Sequence, residues 1–186
     1  MIARKKSVLR EKIMISINIS NFLKQKMREG NINRKELSLK TNLSYNSIRN
    51  LEQGNKQNPS VETILKVADY FNTSIDEVVT NKKTNVIPII KVSAQEAILK
   101  LKEFIKNKLQ QNNIKPHVLA KSIGVGYETI NDFIHPIPKK QSLGTATVFK
   151  IADHWDVSID EMIGRTIPVK ELNILKPLET ISKKTV

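Results

Sequence analysis

Apolar residues recur every three or four positions along most of this 186-residue chain, which is the spacing of helices that bury one face. The clearest case is the segment 32–54, where an apolar seam is interrupted by a short polar turn. The seam consists of Leu37, Leu43, Ile48 and Leu51. The segment therefore predicts two short helices joined by a tight turn.

Local capping signals predict where these two helices begin and end. Asn33, with Glu36 three positions later, is typical of a capped helix start, so the first helix is expected to begin near Arg34. Asn42 tolerates the left-handed backbone conformation that a sharp turn requires, so this helix should stop there. Ser44 then predicts the cap of the second helix.

The second helix has a polar face opposite its apolar one. With Ile48 and Leu51 pointing inward, the outward face consists of Tyr45, Asn46, Arg49 and Asn50. An Asn can pair with the N6 and N7 edge of adenine, and an Arg with O6 and N7 of guanine. Such residues are also common on purely solvated faces, so the hypothesis of major-groove reading rests on the whole pattern.

The run from Leu37 to Gly54, L-S-x3-N-L-S-x3-I-x2-L-E-x-G, is followed by Asn-Pro-Ser at 58–60 and Ser-Ile-Asp-Glu at 74–77. This arrangement resembles the Cro and phage-repressor (XRE-type) helix-turn-helix family over about residues 17–79. The resemblance implies a compact five-helix DNA-binding domain whose third helix, residues 44–53, enters the major groove. The DNA-binding residues it implies are Arg34, Ser44, Tyr45, Asn46, Arg49, Asn50, Asn55, Lys56 and Gln57.

The chain also contains an internal repeat. Phe22, Leu37, Tyr45, Ile48 and Leu51 recur in the same order and at the same spacing as Phe104, Leu119, Tyr127, Ile130 and Phe133. Leu65, Ala68, Phe71 and the Ser-Ile-Asp-Glu run recur as Phe149, Ala152, Trp155 and residues 158–161, at a slightly larger offset that places an insertion in the loop after the third helix. The repeat predicts an all-α protein with two tandem five-helix lambda-repressor-like domains, the second one divergent.

Five segments are predicted on this basis. They are a basic N-terminal arm (1–16), the first helix-turn-helix domain (17–81), an extended linker (82–93), the second domain (94–164) and a C-terminal extension (165–186). The arm is expected to be solvated, with a DNA-tracking arm as the alternative. The β-forming residues around Pro88 and the similar Ile-Pro-Val at 167–169 suggest that both segments pack on the domains, or pair with each other or with a second chain.

The second domain is expected to read bases less readily than the first. Glu128 and Asp132 stand where the first domain has Asn46 and Asn50, and carboxylates near DNA phosphates are repelled. A Glu can still accept a hydrogen bond from cytosine N4, so base reading stays an alternative to packing, pairing or loose phosphate contact. The secondary DNA contacts that this alternative implies are Tyr127, Asn131, Lys139 and Lys140.

Charge and composition narrow the class of protein. The net charge is +13, but ten of the thirteen excess charges fall in the predicted tails and linker, so charge alone supports only loose attraction to a polyanion. No apolar run approaches the roughly 20 residues of a membrane span, and the N-terminus does not read as a secretory signal. The chain is therefore expected to be a cytoplasmic protein with no membrane partner, and the absence of cysteine is compatible with a reducing compartment.

These observations predict a sequence-specific DNA-binding transcriptional regulator, most simply a repressor. The expected partner is double-stranded DNA, and a further hypothesis is a homodimer formed through the second domain or the linker strands. The alternative is a protein-binding module of an operon pair, antitoxin-like, with secondary DNA binding.

An enzyme, a cofactor or a metal site is not expected. His117, His135 and His154 have no second ligand at metal-binding spacing, and no glycine-rich phosphate loop occurs. The acidic pair Asp160 and Glu161 is interpreted as part of a local capping box.

Overall fold

In a computed structural model, the chain is described over residues 2–83, 90–137 and 141–166. The first half contains α1 (Ile2–Glu29), α2 (Arg34–Thr41), α3 (Tyr45–Glu52), α4 (Val61–Tyr70) and α5 (Ile75–Thr80). The second half contains α6 (Ala94–Gln111), α7 (Pro116–Ser122), α8 (Tyr127–Ile134), α9 (Thr145–His154) and α10 (Ile159–Met162). Within these ranges, no helix combines the length and the hydropathy needed to cross a membrane.

Helix α1 begins at Ile2, so residues 2–16, which the sequence predicts as a separate basic arm, are continuous with the first helix. No glycine or proline precedes Gly30, and much of the segment consists of good helix formers such as Arg, Lys, Leu and Glu. From Ile15 onward, one side of α1 enters the hydrophobic core, where Ile19, Phe22 and Leu23 are almost completely buried. The basic segment is therefore the first half of a helix whose second half is anchored in the core.

The predicted caps of the first half are confirmed. The Asn33 side chain accepts a hydrogen bond from the Glu36 N–H at 3.0 Å, and Ser44 accepts one from the Ser47 N–H at 3.1 Å. Asn42 ends α2 in the left-handed conformation, with φ of 51°. The same kind of serine cap opens α4 and α5.

The helices of the second half follow the order of those in the first. By the repeat predicted from the sequence, α7 and α8 would correspond to α2 and α3, and α9 and α10 to α4 and α5. Helices α3 and α8 each have eight residues, and α4 and α9 each have ten. The helices thus match in length at these two pairs, whereas α1 has 28 residues and α6 has 18.

The segments that precede α4 and α9 exchange backbone hydrogen bonds. The Val61 N–H donates to the Leu143 carbonyl at 3.2 Å, and the Thr145 N–H donates to the Pro59 carbonyl at 2.8 Å. In the sequence repeat, positions 59 and 61 correspond to positions 143 and 145. The contact is therefore reciprocal, as in the two-fold interface of a homodimer.

One side chain of the first half caps a helix of the second. The N-cap residue of α9, Gly144, has no side chain that could accept a hydrogen bond. The side-chain Oδ1 of Asn58 accepts from the Ala146 N–H at 3.0 Å instead. A Cβ on Gly144 would clash with the Asn58 amide group, so only glycine leaves room for this contact.

The N-termini of α5 and α10 form a second reciprocal contact. The Asp76 carboxylate accepts from the Ile159 N–H at 2.9 Å, and the Asp160 carboxylate accepts from the Ile75 N–H at 2.7 Å. Each acid therefore satisfies the free backbone donors of the helix in the other half. The interpretation that a local capping box accounts for Asp160 is wrong, because Asp160 is 1% exposed and lies at the contact between the halves.

Arg165 closes the same contact. Its side chain is completely buried and donates to the Asp160 carboxylate, to the Asp69 carboxylate at 2.7 Å and to the Thr73 carbonyl at 3.3 Å. The prediction placed Arg165 in a C-terminal extension, but its side chain belongs to the folded core. It links α4 of the first half to α10 of the second.

The end of the linker lies against the segment after α10. The Ile90 N–H donates to the Arg165 carbonyl at 2.7 Å, so the end of the linker is bonded to a residue that precedes the predicted extended segment 167–169. Val92 is buried and Ile90 is about half exposed. The predicted β-forming residues 86–89 and 167–169 lie outside the described residues.

The two halves share one hydrophobic core. Helix α4 packs against α6 and α9, α1 also contacts α9, and the buried residues of both halves form a single contiguous cluster. The packing between the halves therefore fixes the position of α3 relative to α8.

The Asp76–Asp160 contact predicts a dependence of stability on pH. Burial above all, together with the Asp160 charge, raises the pKa of Asp76 from its ordinary value of 3.8 to about 7. Because Asp76 holds its proton more tightly when folded, its contribution to stability is present at low pH and is lost as the pH rises from about 4 to about 7. Asp76→Asn should therefore raise the free energy of unfolding at pH 8 by about 1–3 kcal/mol.

Urea denaturation of Asp76→Asn and the wild type between pH 4 and pH 8 checks this expectation. The two stability curves should converge at pH 4, and the exposed Asp153→Asn control should follow the wild type throughout. A constant difference at every pH would contradict the titration of Asp76.

The burial of Arg165 predicts a large loss of stability when the cation is removed. Arg165→Met leaves the Asp160 and Asp69 carboxylates without their cation, and breaking a buried ion pair in this way costs about 3–5 kcal/mol. The exposed Arg28→Met variant should change the free energy of unfolding by less than about 0.5 kcal/mol. Chemical denaturation measures both, and equal small losses would show that Arg165 does not hold the halves together.

Candidate nucleic-acid interface

Helix α3 has one buried face and one exposed face, as predicted. Ile48 is completely buried and Leu51 is 2% exposed, whereas Tyr45 is 47% exposed. The other predicted base-reading residues, Asn46, Arg49 and Asn50, are also exposed. The polar side of α3 is therefore open to solvent and is not covered by the described part of the second half.

The loop after α3 is folded back onto the helix end. The Asn50 carbonyl accepts from the Asn55 N–H at 2.9 Å and from the Lys56 N–H at 3.3 Å. The side chains of Asn55, Lys56 and Gln57 are exposed, as is that of Ser44 at the other end of the helix. The residues predicted to touch phosphate thus lie directly beside the predicted base-reading residues, while the DNA contacts themselves stay predictions.

Arg34, the first residue of α2, is held by a partner on α3. Its Nε donates to the Glu52 carboxylate. This bond is the main cause that raises the pKa of the guanidinium above its ordinary value, and the interaction with the Tyr45 side chain is the next. A guanidinium has five N–H donors, so pairing with Glu52 leaves other donors for a phosphate oxygen. Arg34 is half-buried, and its ion pair ties the start of α2 to the end of α3.

The corresponding surface of the second half has a different chemistry. Tyr127 is 50% exposed and its ring packs against His117, with centroids 6.4 Å apart. Glu128 is exposed, whereas Asn131 and Asp132 are partly buried. The predicted secondary contacts Lys139 and Lys140 lie outside the described residues.

Sequence reasoning missed two sets of residues around α3. It did not assign Glu52 as the partner of Arg34, although both lie in the segment 32–54. It also missed the hydroxyls of Ser16 and Ser20 on α1, which donate to the Gly54 and Glu52 carbonyls. Two serines at i and i+4 beside an apolar stripe were the available signal.

The described part of the chain contains no group of three or more His, Cys, Asp or Glu residues placed to hold a metal ion. The polar side chains around α3 are chiefly amides, guanidinium groups, hydroxyls and an amine. These groups suit the recognition of base edges and phosphates.

The fold and this surface define a helix-turn-helix protein, and comparisons with known proteins agree. The family model described as Helix-turn-helix matches residues 23–78. An uncharacterized HTH-type transcriptional regulator of Rickettsia prowazekii (strain Madrid E) is 35% identical over 74 residues, which cover 38% of this chain and 80% of that protein. One of Rickettsia conorii (strain ATCC VR-613 / Malish 7) is also 35% identical over 74 residues, covering 38% of this chain and 68% of that protein. No solved structure matches the chain. The chain belongs to the helix-turn-helix family.

The two faces of α3 predict opposite effects of substitution on stability. Ile48→Ala removes a fully buried side chain and should lower the free energy of unfolding by about 2–5 kcal/mol. Asn46→Ala changes an exposed residue and should stay within about 0.5 kcal/mol of the wild type. Thermal or urea denaturation measures both, and a loss for Asn46→Ala comparable to that of Ile48→Ala would mean that the polar face is structural.

Proposed function

We propose that this protein is a sequence-specific DNA-binding transcriptional regulator that reads the major groove with α3 and represses transcription by covering a promoter. The observation that carries the proposal is the exposed polar face of α3, held from behind by the buried Ile48 and Leu51. Family membership and the relatives named as HTH-type transcriptional regulators support it.

The exposed residues divide by the chemistry that each can offer to a duplex. Asn46 and Asn50 can pair with adenine and Arg49 with guanine, so these three are assigned to base edges. Lys56 is assigned to phosphate, where it adds affinity without sequence preference. Arg34 is also assigned to phosphate, with Glu52 fixing the direction of its guanidinium.

The second half is proposed to be a divergent duplicate of the first that acts as a built-in partner. Its support is the reciprocal set of contacts, in which each bonded position has an equivalent in the other half. Helix-turn-helix proteins commonly bind as two-fold pairs on half-sites about 34 Å apart. A two-fold contact inside one chain would present α3 and α8 as such a pair.

The two reading surfaces of this pair differ, so the proposed DNA site is asymmetric. Asn46 and Asn50 on α3 correspond to Glu128 and Asp132 on α8. The half-site that faces α3 would supply most of the sequence specificity. A protein–DNA stoichiometry of one chain per site is expected, and sedimentation of the complex measures it.

A protein-binding module of an operon pair is the second candidate function. The observation that favours it is an exposed apolar patch on α1, where Ile13, Met14 and Ile17 are 40%, 63% and 51% exposed. Patches of this kind mark protein interfaces when they are contiguous. Copurification of the native protein discriminates the two functions, because a stoichiometric protein partner supports this candidate and bound DNA supports the first.

Selection of bound duplexes from a random pool, followed by titration of variants, tests the proposed reading face. Asn46→Ala and Asn50→Ala should each cost about 1–3 kcal/mol on the selected duplex. Lys56→Ala should weaken all duplexes alike and reduce the slope of log affinity against log salt by about 1.

The control for these variants is Gln111→Ala, at an exposed position at the end of α6. It should bind the selected duplex as the wild type does. If the Asn46→Ala, Asn50→Ala double variant bound the selected duplex with wild-type affinity, these two residues would not be reading bases and the assigned face would be wrong.

A further inference from the structure

Two hydroxyls on α1 hold the C-terminal end of α3. Ser16 Oγ donates to the Gly54 carbonyl and Ser20 Oγ donates to the Glu52 carbonyl. The two serines lie about one helical turn apart and are 3% and 5% exposed. Buried hydroxyls that donate to backbone carbonyls fix the distance between the two elements that they join.

These two bonds complete the hydrogen bonding of the helix end. The last carbonyls of a helix have no partner within it. The Arg49 carbonyl accepts from the Gln53 N–H at 3.0 Å, and the Asn50 carbonyl accepts from the loop. The carbonyls of Glu52 and Gly54 are satisfied from α1, so α3 and the loop after it are both attached to the buried side of α1.

The second half is built differently at the corresponding positions. Ile98 and Lys102 occupy the places equivalent to Ser16 and Ser20 in the sequence repeat, and the Lys102 Nζ lies 5.6 Å from the centre of the Phe133 ring. Helix α8 ends in extended backbone at His135. The serine pair therefore occurs in the half that carries the proposed reading face, and apolar or cationic side chains replace it in the other.

We propose that Ser16 and Ser20 are positioning residues that set the sequence specificity of DNA binding by fixing the tilt of α3 and the loop 54–57. This inference rests on the proposed function of α3. Base contacts require side chains held within about 0.5 Å of their productive position, so a small movement of α3 weakens them. Phosphate contacts through a flexible Lys side chain tolerate the same movement, because they carry no sequence information.

The test compares the Ser16→Ala, Ser20→Ala double variant with Asn18→Ala in the full-length protein. Asn18 is the matched control, because it lies on the same helix and donates to the Val79 carbonyl of α5 at 3.0 Å. The measured quantity is the ratio of affinities for the selected duplex and for a scrambled duplex of the same length. The double variant should lose at least tenfold in this ratio, with affinity for the scrambled duplex unchanged, while Asn18→Ala should stay within twofold of the wild type.

An unchanged ratio in the folded double variant would overturn the inference, whatever its effect on melting temperature. The single variants each remove one bond, and they replace the double variant should it fail to fold. Amide hydrogen exchange at Asn55 and Lys56 provides a readout independent of DNA, and it should accelerate in the serine variants but not in Asn18→Ala. A wild-type protein that selects no duplex would refute the proposed function, and unchanged exchange would refute the positioning role.

Discussion

The fold depends on the contact at which the N-termini of α5 and α10 are each capped by an aspartate of the other half. Asp76 and Asp160 both accept from backbone N–H groups, and two carboxylates this close would repel each other in a buried site. The Arg165 guanidinium offsets part of that cost by binding Asp160 and Asp69. Because these groups come from α4, α5, α10 and the segment after it, their bonding fixes the relative position of the two halves.

That constraint has a direct consequence for the proposed way of binding DNA. Two separate chains must associate before they can occupy two half-sites, so their apparent affinity for DNA depends on the protein concentration. Two halves joined by a linker and a shared core are already associated, so binding of one half brings the other to the duplex at a high effective concentration. In a homodimer, every substitution appears on both reading helices. In a single chain, Glu128 can replace the equivalent of Asn46 on one side alone.

Features set by neighbouring residues could be predicted from the sequence, and features set by distant ones could not. The caps at Asn33 and Ser44 and the buried face of α3 depend on residues within one or two turns, so the predicted pattern was confirmed. The extension of α1 to Ile2 does not follow from the charge pattern, because a cluster of charges is typical of a solvated tail but does not by itself end a helix. The burial of Arg165 could not be foreseen, because its bond to Asp69 joins residues 96 positions apart. The spacing of the serine pair beside an apolar stripe is visible in the sequence, but the backbone carbonyls that accept from the two hydroxyls are not.

The continuity of α1 changes how the net charge of the protein should be understood. Residues 1–16 contain five basic residues and one acidic residue, and a flexible tail with this composition would attract any polyanion from many directions. All but the first of these residues belong to one helix with Ser16 and Ser20, which are bonded to the end of α3 and the loop after it. The basic segment therefore starts from a fixed point beside the loop 54–57, where the predicted phosphate contacts lie. The proposed attraction to phosphate and the proposed reading of bases thus both depend on the position of α1, and a rotation of α1 would change both together.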